Sequence, residues 1–228
     1  MSRQLFISFY GEGTTDYRFL MPIIKRTVDD VIFECCDFDV DVDDISEVKI
    51  SKTGESFPEY VVDATKKALE NGSQLLIVHT DSDKETYEER YQNKFIPAYE
   101  ALRNNGSTEI KDFEEDLIPI IPIRMIEAWM LADIDLLKSE IGTKLSNADL
   151  KLTGNPESTA DPKAKISEAI RLAKEEESYK QKVSVKNIGS LYESIGSKIS
   201  LDKLKRLSAY NKFLIELKRG LKKIGYLH

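Results

Sequence analysis

Cysteine, histidine and long apolar runs are all scarce in this chain. Of its 228 residues only two are Cys and two are His. Cys35 and Cys36 are adjacent, and sequence neighbours bridge each other only with strain, so a disulfide framework is excluded. Two thiols with His79 and the terminal His228 also make a poor donor set for structural zinc. No apolar run reaches the roughly 18 residues that a membrane-crossing helix needs. Residues 5–9 are apolar but too few for a signal h-region, and they run into Gly11-Glu12-Gly13 rather than a cleavage site. The expectation is a cytoplasmic protein with no membrane association.

Nucleotide signatures are missing as well. No Walker motif is present. Gly11-x-Gly13-x-x-Asp16 has the spacing of a dinucleotide loop, but its third glycine is Asp16, and Glu12 would put negative charge where pyrophosphate should lie. The acidic run at 37–44 lacks the central glycine and closing Glu of an EF-hand.

What is present bounds the class. With 41% hydrophobic and 32% charged residues the chain can bury a proper core. Its net charge of −7 is unevenly spread: residues 198–228 hold nine Lys or Arg against two acids, a local +7, which leaves −14 for the rest. An acidic body thus ends in a basic helix.

The pattern alternates strand and helix. Residues 4–10 read as a strand, stopped by the Gly11-Glu12-Gly13 turn. A helix follows from Thr14 or Thr15, and Pro22 requires it to bend or to begin later. Phe38, Val40 and Val42 alternate with aspartates, as in a strand with one wet face. Pro58 opens a helix that Asn71-Gly72 ends. Residues 74–79, with Leu75, Leu76, Ile77 and Val78, form a continuous apolar run, expected of a strand covered on both faces. A helix over 85–104, a short strand over 117–121 and a helix from Pro122 through Asp133 follow. Beyond about residue 135 no strand is expected, only helices over 163–179, 190–195 and 201–224. The expected fold is a Rossmann-like parallel α/β sheet flanked by helices over 1–135, with a helical C-terminal extension over 136–228.

Carboxylates carry the candidate chemistry. Glu12 leaves the first strand, Asp81 and Asp83 leave the apolar strand, and Glu127 lies on an otherwise apolar helix. Ligands of open parallel sheets bind outside the carboxyl ends of strands. If the first and the apolar strand are neighbours, Glu12, Asp81 and Asp83 converge. Hard Mg²⁺ or Mn²⁺ takes such oxygen ligands together with water and phosphate oxygens, and orients a water against a phosphodiester. Each acid also has a bland reading as a cap or turn former, and Asp16 is expected to be such a cap. A buried Glu127 needs a partner, an arginine such as Arg124 one turn earlier or a metal.

Taken together, Gly11-Glu12-Gly13-Thr14-Thr15-Asp16 and Val78-His79-Thr80-Asp81-Ser82-Asp83 resemble the TOPRIM domain of topoisomerases, primases and OLD-family nucleases. With Ile126-Glu127-Ala128-Trp129-Met130-Leu131-Ala132-Asp133 and Asp161-Pro162-Lys163, the chain looks more closely like a TOPRIM-like bacterial family described only as a domain of unknown function. The resemblance spans most of the chain. It implies a four-stranded parallel core, metal at Glu12, Asp81 and Asp83, and a further catalytic acid at Glu127. Related proteins are suspected phosphodiesterases in phage-defence or mobile-element loci, with an ATPase encoded nearby. OLD-type sites carry further acids and a basic residue, for which only Glu127, Asp133 and Arg124 are available.

The leading expectation is therefore a Mg²⁺-dependent nuclease. Arg124 and the tail residues Lys205, Arg206, Lys218, Arg219, Lys222 and Lys223 would hold nucleic acid through its phosphates, with Tyr179, Tyr192 and Tyr210 available to stack on bases or fill the core. The alternative is a catalytically silent TOPRIM-like module that docks a partner such as an ATPase. A small-molecule phosphohydrolase fits less well, because Asp81-x-Asp83 follows a late strand rather than the first.

Overall fold

A computed structural model describes residues 2–50, 56–180 and 187–227. Strands β1 (Arg3–Leu5) and β2 (Ile7–Tyr10) lead into α1 (Thr14–Cys35). Short β3 (Val40–Val42) and β4 (Ser46–Glu47) precede α2 (Phe57–Glu70) and β5 (Leu75–His79). Next come α3 (Tyr87–Arg90), a π-helical turn (Tyr91–Phe95), α4 (Ile96–Arg103), α5 (Thr108–Asp112) and β6 (Leu117–Ile120). Helices α6 (Glu127–Met130), α7 (Ile134–Ile141), α8 (Pro162–Lys180), α9 (Leu191–Lys198), α10 (Leu201–Leu204) and α11 (Ser208–Lys223) complete the chain.

Four strands form one parallel sheet in the order β4-β2-β5-β6, and β1 pairs with β3 in a second, two-stranded one. The central β5 is buried on both faces, as its unbroken apolar run predicts. Leu75 and Ile77 face one core with α1 and the C-terminal helices, while Leu76 and Val78 face another with α2 and α4. Helices therefore cover both faces of the sheet. The helices beyond residue 135 share the α1 core: Tyr192, Tyr210, Phe213 and Leu221 all lie in it. Contact there is close. A Cβ on Gly196 of α9 would sit 2.4 Å from the carbonyl oxygen of Phe19 in α1.

Several sequence expectations need correction. The first strand breaks at Phe6, because β1 and β2 pair with different partners, β3 and β4. α1 runs through Pro22 without interruption. The helix over 85–104 contains a π turn, with Ile96 N–H reaching Tyr91 O, directly before Pro97. The helix expected from Pro122 begins only at Glu127. Residues 122–124 instead extend the β5–β6 ladder, since Ser82 N–H donates to Pro122 O and Asp83 N–H to Arg124 O. Arg124 then has φ +70°, which no helix tolerates.

The helix expected over 201–224 is two helices with an extended Leu207 between them. Glu157, in the loop before α8, caps the second one: its carboxylate accepts from Ser208 and Ala209 N–H at 3.0 and 2.9 Å. No helix among the described residues is long and apolar enough to cross a membrane.

Candidate functional site

β2 and β5 are neighbours, with Tyr10 opposite Val78, so their following turns meet at the carboxyl edge of the sheet. The Gly11 turn is fastened by Tyr17, whose hydroxyl donates to Val48 O at 2.8 Å and accepts from Gly11 N–H at 3.2 Å. Gly11 leaves no room for a side chain, since a Cβ there would lie 3.0 Å from Asp16 Cβ. Asp16 has the expected capping role, accepting from Gly13 N–H at 2.9 Å. It also does what sequence reasoning missed: its other neighbour is His79, with Oδ2 3.9 Å from Nε2.

His79 ends β5 and is buried. Its Nδ1 stands 3.3 Å from Ile120 O, which can only accept, so Nδ1 carries a proton. Nε2 then faces Asp81 Oδ1 at 3.5 Å, too far for a good hydrogen bond. Asp81 Oδ1 also accepts from Ile126 N–H at 3.1 Å, which ties the turn to the start of α6. Burial pushes the Asp81 carboxyl up to about 7. His79 opposes that shift, while Asp16, Glu127 and Asp83 add to it. Asp81 thus has three acidic neighbours and one counteracting neighbour, His79.

The other nominated residues divide. Glu12 is exposed and accepts from Thr80 Oγ1 at 2.9 Å, so it joins the β5 turn. Asp83 has a left-handed backbone, φ +53°, and its exposed carboxylate is bound by Arg90, which also stands 3.0 Å from Glu85. Glu127 is buried and accepts from Tyr192 Oη at 2.5 Å, with Lys163 Nζ at 4.0 Å. Its partners among the described residues are a tyrosine and a lysine; of the arginine or metal expected for it, Arg124 makes no contact with it. Asp133 serves the fold instead, capping α7 and binding Lys203 at 2.7 Å.

Among the basic candidates only Arg124 adjoins the site. Its N–H donates to Ser82 Oγ and its guanidinium to Asp83 O. Lys223 binds Asp116 and Arg219 reaches Leu117 O, both at the amino end of β6, away from the carboxylates. Lys218 and Lys222 are exposed on the same final turns of α11. Lys205 binds Asp30, sixteen residues into α1 from Thr14 and so about 24 Å of helix away, and Arg206 beside it is exposed. Tyr192 and Tyr210 are buried hydrogen-bonded core residues, not stacking surfaces. The side chain of Tyr179 and residue His228 lie outside the described residues.

Among the described residues, no three His, Cys, Asp or Glu side chains stand together as a closed metal cage. Glu12 and Asp81 offer carboxylate oxygens on adjoining turns, with Glu12 accepting from Thr80 and Asp81 from Ile126 N–H. Mg²⁺ takes one or two carboxylates and completes its shell with waters and substrate phosphate. Glu12 and Asp81, joined through adjoining Thr80, are the pair placed for that.

The fold and site define a parallel α/β protein with a carboxylate cluster at the carboxyl edge of its sheet. Residues 11–214 match the family described as a domain of unknown function, DUF4276, and the chain belongs to it. The match begins at the Gly11 turn and includes Asp16, Asp81 and Glu127, while leaving out the last basic residues of α11. No curated protein and no solved structure matches the chain.

Proposed function

We propose that this protein hydrolyses phosphodiester bonds of nucleic acid with Mg²⁺ or Mn²⁺ at the carboxyl edge of its sheet. The observation that carries the reading is the gathering of Glu12, Asp16 and half-buried Asp81 where the β2 and β5 turns meet at that edge. Proteins keep such destabilising arrangements at working sites. A bound divalent cation would neutralise phosphate charge and acidify a water there. Glu12 and Asp81 are the ligands offered. His79 and Ile126 N–H fix the orientation of the Asp81 carboxyl. Arg124 stands at the rim for the phosphate of the substrate strand. The resemblance of the Glu12 and Asp81-x-Asp83 turns to the TOPRIM pattern supports the same chemistry.

The test is cleavage of labelled DNA and RNA strands with Mg²⁺ and Mn²⁺ by wild type and Asp81→Ala. Cutting that needs metal and disappears in a folded Asp81→Ala supports the proposal. Equal cutting by both would remove Asp81 from the site. A second reading, a catalytically silent module docking a partner such as an ATPase, has one observation in its favour: Asp83 is already spent on Arg90. Calorimetric titration of Mn²⁺ separates the two, because the silent module would bind none at Asp81.

A further inference from the structure

Beside Glu12 lies a cavity of about 510 Å³, within the size range of small-ligand sites. Its walls come from three elements: Tyr10 at the end of β2, Phe57 and Tyr60 at the start of α2, and Asn93 and Lys94 on the π turn. The π turn inserts one extra residue into the helical run and so re-aims these last two side chains; such turns recur at functional sites.

Several polar groups facing this cavity keep capacity for a ligand. Tyr10 is only 3% exposed, yet its hydroxyl has no hydrogen-bond partner among the described residues. That hydroxyl opens on the cavity rather than on packed protein, so water satisfies it until a ligand takes the water's place. The ammonium of Lys94 lies 5.7 Å from the Phe57 ring centroid and meets no carboxylate among the described residues. Asn93 gives its amide N–H to Glu85 at 2.8 Å, which leaves its carbonyl oxygen free to accept.

We propose that this cavity holds a single nucleotide unit of the substrate strand, its base against Tyr60 and Phe57 and its phosphate on Lys94, with the adjoining phosphodiester at Glu12. Aromatic walls with a few polar groups suit a planar base. One ammonium in a cavity that Glu12 also lines suits a singly charged phosphodiester and not a triphosphate, which the carboxylate edge would repel. This inference rests on the nuclease reading and narrows it to single-stranded or locally unpaired substrate, because a base inside a duplex is stacked and out of reach.

The experiment measures binding in EDTA, without metal, of a fluorescent six-nucleotide DNA or RNA strand and of the same strand in duplex. Wild type is compared with Tyr60→Ala, Lys94→Ala and Tyr10→Phe. Expected are tighter binding of the single strand, about tenfold or greater loss in Tyr60→Ala and Lys94→Ala, and a smaller loss in Tyr10→Phe with an unchanged or raised Tm. A lowered Tm in Tyr10→Phe would show that the hydroxyl serves the fold, and would overturn the assignment of that group to a ligand. Duplex bound as well as single strand, or all three variants binding like wild type, would overturn the pocket. Cleavage read in parallel keeps the two proposals apart. If Asp81→Ala is dead while the cavity variants bind and cut normally, the pocket alone fails. If wild type binds the strand in this cavity and cuts nothing, the nuclease reading alone fails.

Discussion

The hydroxyl of Tyr192 in α9 donates to Glu127 at 2.5 Å, and both side chains are buried. A helix from the C-terminal part thereby satisfies a carboxylate beside the candidate site. Burial, then Glu127 itself, holds the Tyr192 hydroxyl protonated far above its ordinary range. Tyr192→Phe leaves the carboxylate buried with only Lys163 near it, and is expected to cost about 1–3 kcal/mol. Glu127→Gln keeps a neutral acceptor and should cost less. Urea melts at pH 7 that show Tyr192→Phe as stable as wild type would refute the pairing.

Asp81→Asn is expected to stabilise the fold while ending activity. The native carboxyl is raised to about 7 by burial and its acidic neighbours, so between about pH 4 and 7 the native state holds a proton that the unfolded chain has lost. Stability falls across that window and stays reduced above it. An amide still accepts from Ile126 N–H and carries no charge. The gain should be absent near pH 4, grow to about pH 7 and then level off. With 32% of the side chain exposed, water screens the site, and the plateau should be on the order of 1 kcal/mol. Paired melts from pH 4 to 8 read it directly, and a gain independent of pH would contradict it.

Asp133 should behave in the opposite sense. Burial pushes its carboxyl up, but the Lys203 ammonium and Leu136 N–H outweigh burial and hold it below the ordinary value. Its contribution is full above the unfolded value of about 3.9 and is lost as pH falls through the lower native value. Asp133→Asn keeps the α7 cap and removes the charge. It should cost about 1 kcal/mol at pH 7 and close to nothing near pH 2. Denaturant midpoints across that range check it; an equal loss at both ends would show that packing, not charge, was removed.

Gly196→Ala is expected to be among the most damaging single-methyl changes in the chain. Its Cβ would meet backbone, the Phe19 carbonyl at 2.4 Å, and backbone cannot rotate aside. Separation of α1 and α9 should cost several kcal/mol, roughly what severe overpacking does. Gly106→Ala, with nothing within 4 Å of the added atom, is the control, compared by Tm.

The sheet was legible because its signals are local. The apolar run over 75–79 announces a strand buried on both faces, and Gly72 at φ +71° ends α2 where Asn71-Gly72 predicts. Convergence of the Glu12 and Asp81 turns followed from strand ends alone. The failures needed tertiary partners. Nothing in Pro122-Ile123-Arg124 shows that Ser82 and Asp83 will draw this segment into a ladder. The break at Leu207 depends on Glu157, fifty residues earlier in the chain. His79 offered one overlooked signal: a histidine closing a fully apolar strand must be buried and so must find partners. The shared place of Asp16 in cap and cluster had none, since its capping role already accounts for it.

The cationic residues of α11 lie towards the amino ends of the strands and the carboxylates towards the carboxyl ends. Two of them are already paired, Lys223 with Asp116 and Arg219 with Glu216, while Lys218 and Lys222 stand exposed. On the proposed function, a polyanion within a Debye length, about 8 Å at physiological salt, would feel those two lysines from the side of the sheet opposite Asp81. A duplex caught that way stays straight over the width of the protein, its persistence length being about 50 nm. Should nucleic acid bind as proposed, a strand held by α11 would have to bend round the flank to reach Asp81, which a single strand does more readily than a duplex.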